Sequence, residues 1–241
     1  MNNYKIEISY DGSNFHGFQK QKNIRTVEFA IQNSLNKILN SYKLLYAGRT
    51  DAGVHAKSQV LSLKTSELLD QSFLVSLNSL LSDDIKIKKM KKVNQSFNPR
   101  YDAKSRVYKY FVEEKRNSEP YFRDYRHVIN SHLDIDKLNS LSKIFLGKNN
   151  FTNFSKLRKN QEPIREITKS KWSRMNNSFI YTIEGNSFLH NMVRSIVGCQ
   201  LAVLDKKINK NHLIESLKNP GKSRFNFVAP ANGLYLWKIK Y

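Results

Sequence analysis

At 241 residues, with 39% hydrophobic and 12% aromatic side chains, the chain is long enough for one or two domains with a sizeable core. Its 41 Lys+Arg against 20 Asp+Glu give a formal net charge of +21, which points to a polyanionic partner, either nucleic acid or an anionic membrane surface. A single cysteine, Cys199, excludes an intrachain disulfide framework and a multi-thiolate metal site, and its apolar surroundings mark it as a core thiol.

In chain order, Tyr4, Ile6, Ile8 and Tyr10 alternate with Lys5, Glu7 and Ser9, the pattern of a half-buried strand ended by Asp11-Gly12. After a polar loop, Thr26 precedes Val27, Ala30, Ile31, Leu35, Ile38 and Leu39 at three-and-four spacing, which predicts an amphipathic helix with a threonine N-cap. Leu44 to Tyr46 is a short apolar run, followed by a glycine-bracketed loop and a strand through Gln59 to Leu63. A second helix is expected with Leu68, Leu69, Phe73, Leu77, Leu80 and Leu81 on its buried side. Ile85 and Ile87 then open a strand that runs into the lysine cluster Lys86 to Lys92. This β-α-β-β-α-β order is the split βαβ, or ferredoxin-like, arrangement found in many RNA-binding domains. No RNP-type aromatic consensus accompanies it.

The second half reads as a variation on the same order. Val107 to Val112 is a strand with Tyr108 and Tyr110 facing one way, and Ile135, Leu138, Leu141 and Phe145 lie on a helix ended near Gly147. Thr168 to Ser173 and Phe179 to Glu184 are strands joined at Asn176-Asn177, a hairpin-type turn. Phe188 to Leu204 reads as a helix, Asn211 to Lys218 as a shorter one, and Leu234 to Tyr241 as a closing strand. The expectation is an α+β fold of two ferredoxin-like (RRM-like) halves with mainly antiparallel sheets, residues 1–103 and 104–241. Pro99 interrupts the pattern near the boundary, and no Gly/Ser-rich linker separates the halves. The duplication rests on element order, because no literal repeat is present.

One segment concentrates chemistry: Ala47-Gly48-Arg49-Thr50-Asp51-Ala52-Gly53-Val54-His55-Ala56. It sets a single carboxylate between an arginine and a histidine, with glycines that let the backbone turn or approach a ligand. A carboxylate serves as nucleophile, as general base, or as a charge opposing an oxocarbenium-like centre, and each role needs it ionised. A nearby guanidinium favours that state, and two arginines qualify, Arg49 in the loop and Arg194 far along the chain. A tight surface turn with a local Arg–Asp contact fits the same residues. So does an Arg49 that caps backbone or binds phosphate.

Arg194 sits among Met192, Val193, Ile196 and Val197 at helical spacing, which suggests a helix largely enclosed by protein. A buried cation without a partner is very costly, so Arg194 should meet a carboxylate, unless it snorkels at the helix edge. Tyr108, in Ser105-Arg106-Val107-Tyr108-Lys109-Tyr110, could stack on a base and relay a proton through its hydroxyl, or be an ordinary strand aromatic. Arg106 and Lys109 beside it fit phosphate contacts.

His16, His55 and His190 have no metal-ligand spacing, and neither a Walker loop nor a dinucleotide fingerprint is present. A reaction needing no metal or cofactor is favoured. The run Met192 to Leu204 is broken by Arg194, Ser195 and Gln200 and is too short to span a bilayer, so no membrane partner is expected. The N-terminal residues Met1 to Lys5 hold no apolar stretch, so no secretory signal is expected and the chain reads as cytoplasmic.

Gly48-Arg49-Thr50-Asp51-Ala52-Gly53-Val54-His55 closely resembles the signature of the tRNA pseudouridine synthase A family. Ordered companions extend the resemblance along the chain: Tyr10 to Gln21, Arg25-Thr26-Val27, Asn150 to Phe154, the Arg194 helix, and Ala231 to Leu236. The resemblance implies isomerisation of uridine to pseudouridine in the anticodon stem-loop of tRNA, at tRNA positions 38, 39 and 40, without a cofactor. By the same analogy Asp51 is the catalytic carboxylate, Tyr108 stacks on the target base, and Arg194 forms the ion pair that holds Asp51. Arg49 would hold or displace the flipped nucleotide, and His55, Arg106 and Lys109 join the substrate-binding set. The implied architecture is two ferredoxin-like halves joined around a central catalytic cleft, working as a homodimer. Asp51 attacking C1′ and Asp51 removing the 2′ proton are both open. Four places depart from the family pattern: Glu28 for glutamine, Asn98-Pro99 for His-Ala, Phe18 for tryptophan, and no proline in Ser79-Leu80-Leu81. None touches the catalytic set. The competing classes are a non-catalytic RNA-binding protein on the same fold and a basic ribosome-associated protein.

Overall fold

Backbone pairing gives an α+β fold, in a computed structural model that describes residues 1–221 and 225–241. The first part of the chain forms β1 (Asn2–Tyr10), α1 (Val27–Leu35), β2 (Lys43–Tyr46), β3 (His55–Thr65), α2 (Gln71–Leu80) and β4 (Ile85–Val93). There follow β5 (Ser105–Glu114), β6 (His127–Ile129), α3 (Ile135–Ser142), β7 (Gly147–Asn150), β8 (Ile164–Met175) and β9 (Ser178–Gly185). Helices α4 (Met192–Leu204) and α5 (Lys210–Lys218) and the strand β10 (Leu234–Lys240) complete the order. Two compact units result, Met1–Lys104 with Tyr235–Tyr241, and Ser105–Leu234. The last strand therefore belongs to the first unit, not with residues 104–241 as the sequence order suggests. Its backbone explains why: Tyr235 and Leu236 pair with His55 and Ala56, and the Lys104 amide donates to the Lys240 carbonyl at 2.8 Å.

In the first unit β1 lies between β3 and β4, and β2 and β10 share the far edge of β3. All pairings there are antiparallel except β10 with β3. Tyr4, Ile6, Ile8 and Tyr10 are buried, as their alternation requires. Thr26 caps α1, its hydroxyl accepting from the Phe29 amide at 3.4 Å. The helix stops at Leu35, so Ile38 and Leu39 lie in the following turn, where Leu39 is still buried. Helix α2 starts later than expected because Asp70, extended at φ −121°, caps it by accepting from the Phe73 amide at 3.1 Å. Leu68 falls outside the helix, 81% exposed, instead of on its buried side.

The second unit pairs β5–β9–β8–β7 antiparallel and adds β6 parallel to β5. Strands β6 and β7, three and four residues long, were not foreseen; neither has an alternating pattern long enough to read. Trp172, Tyr110, Tyr181, Phe145, Phe151 and Phe154 are fully buried here. Gln200, the polar break in the apolar run of α4, is buried to accept from Trp172 Nε1 at 2.8 Å. Cys199 is buried, and burial pushes its thiol pKa up. Helix α4 begins four residues after Phe188 because Asn191 adopts a left-handed φ of 62°.

Candidate active site

Asp51 lies in the loop that joins β2 to β3, and the segment after β1 clasps that loop. The Phe18 amide donates to the Thr50 carbonyl at 3.1 Å, and the Gly53 amide to the Phe15 carbonyl at 3.2 Å. A turn inside the loop closes through the Val54 amide and the Asp51 carbonyl at 3.2 Å. The Thr50 hydroxyl, buried, shares a hydrogen bond with Tyr10 at 2.7 Å, and buried Gln59 donates to the Gly48 carbonyl at 2.7 Å. Beneath, the rings of Phe18 and Tyr46 meet at 4.7 Å. The backbone on both sides of Asp51 is thus fixed while its own side chain is half-buried.

Two glycines make the clasp possible. Gly17 has φ 91°, and a Cβ there would lie 2.9 Å from the Thr50 carbonyl oxygen and 3.3 Å from the Ala52 nitrogen. A Cβ on Gly12 would lie 2.2 Å from the Val54 oxygen. Both belong to the Tyr10 to Gln21 segment, which drew notice in the sequence without any role attached to it. Tyr10, Gly12, Gly17, Thr50 and Gln59 are the functional supports that sequence reasoning missed.

Arg49 is exposed, its Nε 3.4 Å from the Tyr46 hydroxyl. His55 is 1% exposed, stacked on Tyr235 with ring centroids 4.5 Å apart, and its Nδ1 lies 3.1 Å from both the Gly12 nitrogen and Asp11 Oδ1. Such a ring anchors the start of β3 and the loop above it. Its burial is that of a scaffold residue, whereas the sequence reading grouped it with the substrate contacts.

In the second unit Arg194 stands in the first turn of α4, half-buried. Its Nε donates to the Ala229 carbonyl at 2.7 Å and its Nη1 to Asn191 Oδ1 at 3.2 Å, while the Ala229 amide returns a bond to the Arg194 carbonyl at 3.1 Å. The approach is close because Gly198 lies against the irregular segment that carries Phe227 and Ala229; a Cβ there would sit 2.3 Å from the Phe227 oxygen. Tyr110, fully buried, donates to the Pro230 carbonyl at 2.8 Å, next to the Ala229 anchor. Burial raises the Tyr110 phenol, with the Arg194 charge pulling the other way, so it stays a neutral donor.

Tyr108 is half-buried on β5, opposite Ile183, with Phe188 edge-on at 5.1 Å. Arg106 Nη1 donates to the Asn186 carbonyl at 2.7 Å, and Lys109 is half-buried opposite Thr182. Among the described residues no group of three or more His, Cys, Asp or Glu side chains could hold a metal ion. No helix among them is long and apolar enough to cross a membrane.

A sequence profile described as tRNA pseudouridine synthase matches residues 7–102 and 141–241. A protein named tRNA pseudouridine synthase A from Dictyoglomus thermophilum is 41% identical over 246 residues, with 100% of both chains covered. Proteins of the same name from Borrelia duttonii and Fervidobacterium nodosum are 35% and 36% identical, again over 100% of each chain.

Proposed function

Because the chain belongs to the tRNA pseudouridine synthase family, an enzyme family that isomerises uridine in tRNA, we propose that it forms pseudouridine in the anticodon stem-loop, at tRNA positions 38, 39 and 40. The observation that carries this reading is the clasped loop, which holds one half-buried carboxylate, Asp51, on a backbone pinned at Thr50 and Gly53. The two-half ferredoxin-like architecture is supported by the antiparallel order β4–β1–β3–β2 in the first unit. In this reading the enzyme works in the cytoplasm as a homodimer.

The reaction breaks the N1–C1′ bond, with the electron pair leaving on uracil, and forms a C5–C1′ bond after the base turns. C5 then loses its proton and N1 gains one, so the product is an isomer and no co-reactant is consumed. Asp51 serves either by adding to C1′ or by taking the 2′ proton, and both routes need the carboxylate ionised. Arg194, oriented by Ala229 and Asn191, is the cation assigned to hold it so. Tyr108 stacks on the base and assists loss of the C5 proton, and Arg49, Arg106 and Lys109 contact the RNA. Extracting the target base costs a few kcal/mol, which backbone contacts to basic residues offset.

The test is tritium release from tRNA carrying C5-labelled uridine. Asp51→Asn should lower the rate on the order of 10²–10⁴-fold with tRNA binding kept. Full activity in Asp51→Ala removes Asp51 from the chemistry, and absence of pseudouridine at positions 38–40 removes the anticodon assignment.

A further inference from the structure

The lysine cluster of β4 takes no part in the chemistry above. Lys86, Lys88, Lys89, Lys91 and Lys92 all lie on this one strand and all are exposed. Pairing with β1 sorts them: Lys86 is opposite Ser9, Lys89 opposite Glu7 and Lys91 opposite Lys5, so these three share the face that Tyr4, Ile6 and Ile8 do not use. Lys88 is the extra residue where the register shifts between Glu7 and Ile8. Its ammonium reaches Glu7 Oε1 at 3.2 Å and the Lys57 carbonyl at 3.0 Å, so the acid facing the row is already engaged.

Behind the row the positive charge continues over aromatic rings. Lys5 Nζ lies 3.6 Å from the Tyr241 ring centroid, and Lys57 Nζ lies 4.0 Å from that of Trp237. Burial, and then the charge of Lys91, lower the pKa of Lys5 against the opposing pull of Glu7. Lysines on an outermost strand also discourage edge-to-edge pairing. One or two suffice for that, whereas Lys86, Lys89, Lys91 and Lys92 form no ion pair among the described residues and repel one another.

The geometry suits a polyanionic strand. At about 3.3 Å per residue, Lys89 and Lys91 are roughly 7 Å apart and the row from Lys86 to Lys91 extends roughly 17 Å. It begins at the end of the sheet where Ile85 faces Tyr10 and Tyr10 faces Ala56, the end from which the Asp51 loop springs, and it runs away from that end. We propose that the β4 lysine row is a docking track for the sugar–phosphate backbone of the substrate RNA, gripping about three phosphates at a distance from the reacting uridine. This deepens the pseudouridine-synthase reading and rests on it for the identity of the polyanion.

The test compares Lys86→Gln/Lys89→Gln/Lys91→Gln with the parent and with a charge-matched control, Lys137→Gln/Lys143→Gln/Lys210→Gln, using labelled unmodified tRNA. Losing three phosphate contacts should flatten the slope of log K against log salt by about 2.7, so that between 50 and 200 mM salt the parent loses about 40-fold more affinity than the β4 variant. The control should keep the parent slope, and Lys86→Arg/Lys89→Arg/Lys91→Arg should restore it. An unchanged slope in the glutamine variant, or an equal loss in the control, overturns the docking track. Self-association of the glutamine variant with an unchanged slope overturns it too and leaves the row as edge protection. The two readings fail separately, because the parent's own failure to form pseudouridine sinks the enzymatic assignment while the binding slopes still judge the track.

Discussion

Gly17→Ala gives the sharpest test of the idea that Asp51 is positioned from outside its own loop. The substitution places a Cβ 2.9 Å from the Thr50 carbonyl oxygen, 3.3 Å from the Ala52 nitrogen and 3.4 Å from the Asp51 carbonyl carbon, all backbone atoms. None of these yields as a flexible side chain would, so the loop itself must move by a few tenths of an ångström. A second penalty comes from φ 91°, which costs an L-residue roughly 1–2 kcal/mol. The sum should be about 2–3 kcal/mol of lost stability, read as a lower urea midpoint at unchanged m-value. A displaced reacting group loses more in rate than in binding, since a misplacement approaching 1 Å costs on the order of 10²-fold. Tritium release should therefore fall about 10-fold or more with KM for tRNA nearly unchanged. Gly48→Ala is the internal control: a Cβ there meets nothing within 4 Å, so it should shift stability by less than about 0.5 kcal/mol. Parent-like kcat in Gly17→Ala, or an equal loss of stability from Gly48→Ala, would refute the clasp.

Other outcomes follow from the second unit. Tyr110→Phe removes the bond to the Pro230 carbonyl beside the Arg194 anchor, and should cost about 1 kcal/mol in urea unfolding and lower kcat more than it raises KM. Glu114 is buried, which raises its pKa, but bonds from the Leu133 amide at 2.8 Å, from Arg116 and from His132 outweigh burial and hold it below the ordinary glutamate value. Its stabilisation is therefore complete above the unfolded glutamate value and lost as pH falls through the depressed folded one. Urea midpoints measured downward from pH 6 should drop less steeply in Glu114→Gln than in the parent. Cys199 should resist thiol reagents in the native protein and react only on unfolding, because burial keeps the thiol protonated; stoichiometric native labelling would contradict that.

Much of the fold was legible wherever one period dominated a long segment. Tyr4 to Tyr10 alternate and are buried in alternation; Val27, Ile31 and Leu35 share a helical face and are all buried. What failed to show was set by single backbone choices. Asp70 could extend the chain and cap α2, which stranded Leu68 in solvent, and Asn191 could turn left-handed, which delayed α4. Neither choice alters hydrophobic spacing, so periodicity is blind to both. The assignment of β10 to the first unit was hidden for another reason: its own pattern names a strand but no partner, and the partner lies about 180 residues back in the sequence.

The candidate site divides the same way. Asp51 and Arg194 stood out in the sequence because their chemistry is unusual for their setting: an acid between glycines, an arginine in an apolar helix. Their supports did not, because each is an ordinary residue made special by something distant. Tyr10 is a strand aromatic until its hydroxyl meets Thr50 at 2.7 Å, and Ala229 is a loop alanine until its carbonyl takes Arg194 Nε at 2.7 Å. The anchors described in both units are neutral: backbone groups, the Thr50 hydroxyl, the Gln59 amide and, for Arg194, the Asn191 side-chain amide. Substitutions at Tyr10 or Gly17 should lower turnover without altering the chemistry proposed for Asp51, a separation that a clasp outside the loop requires.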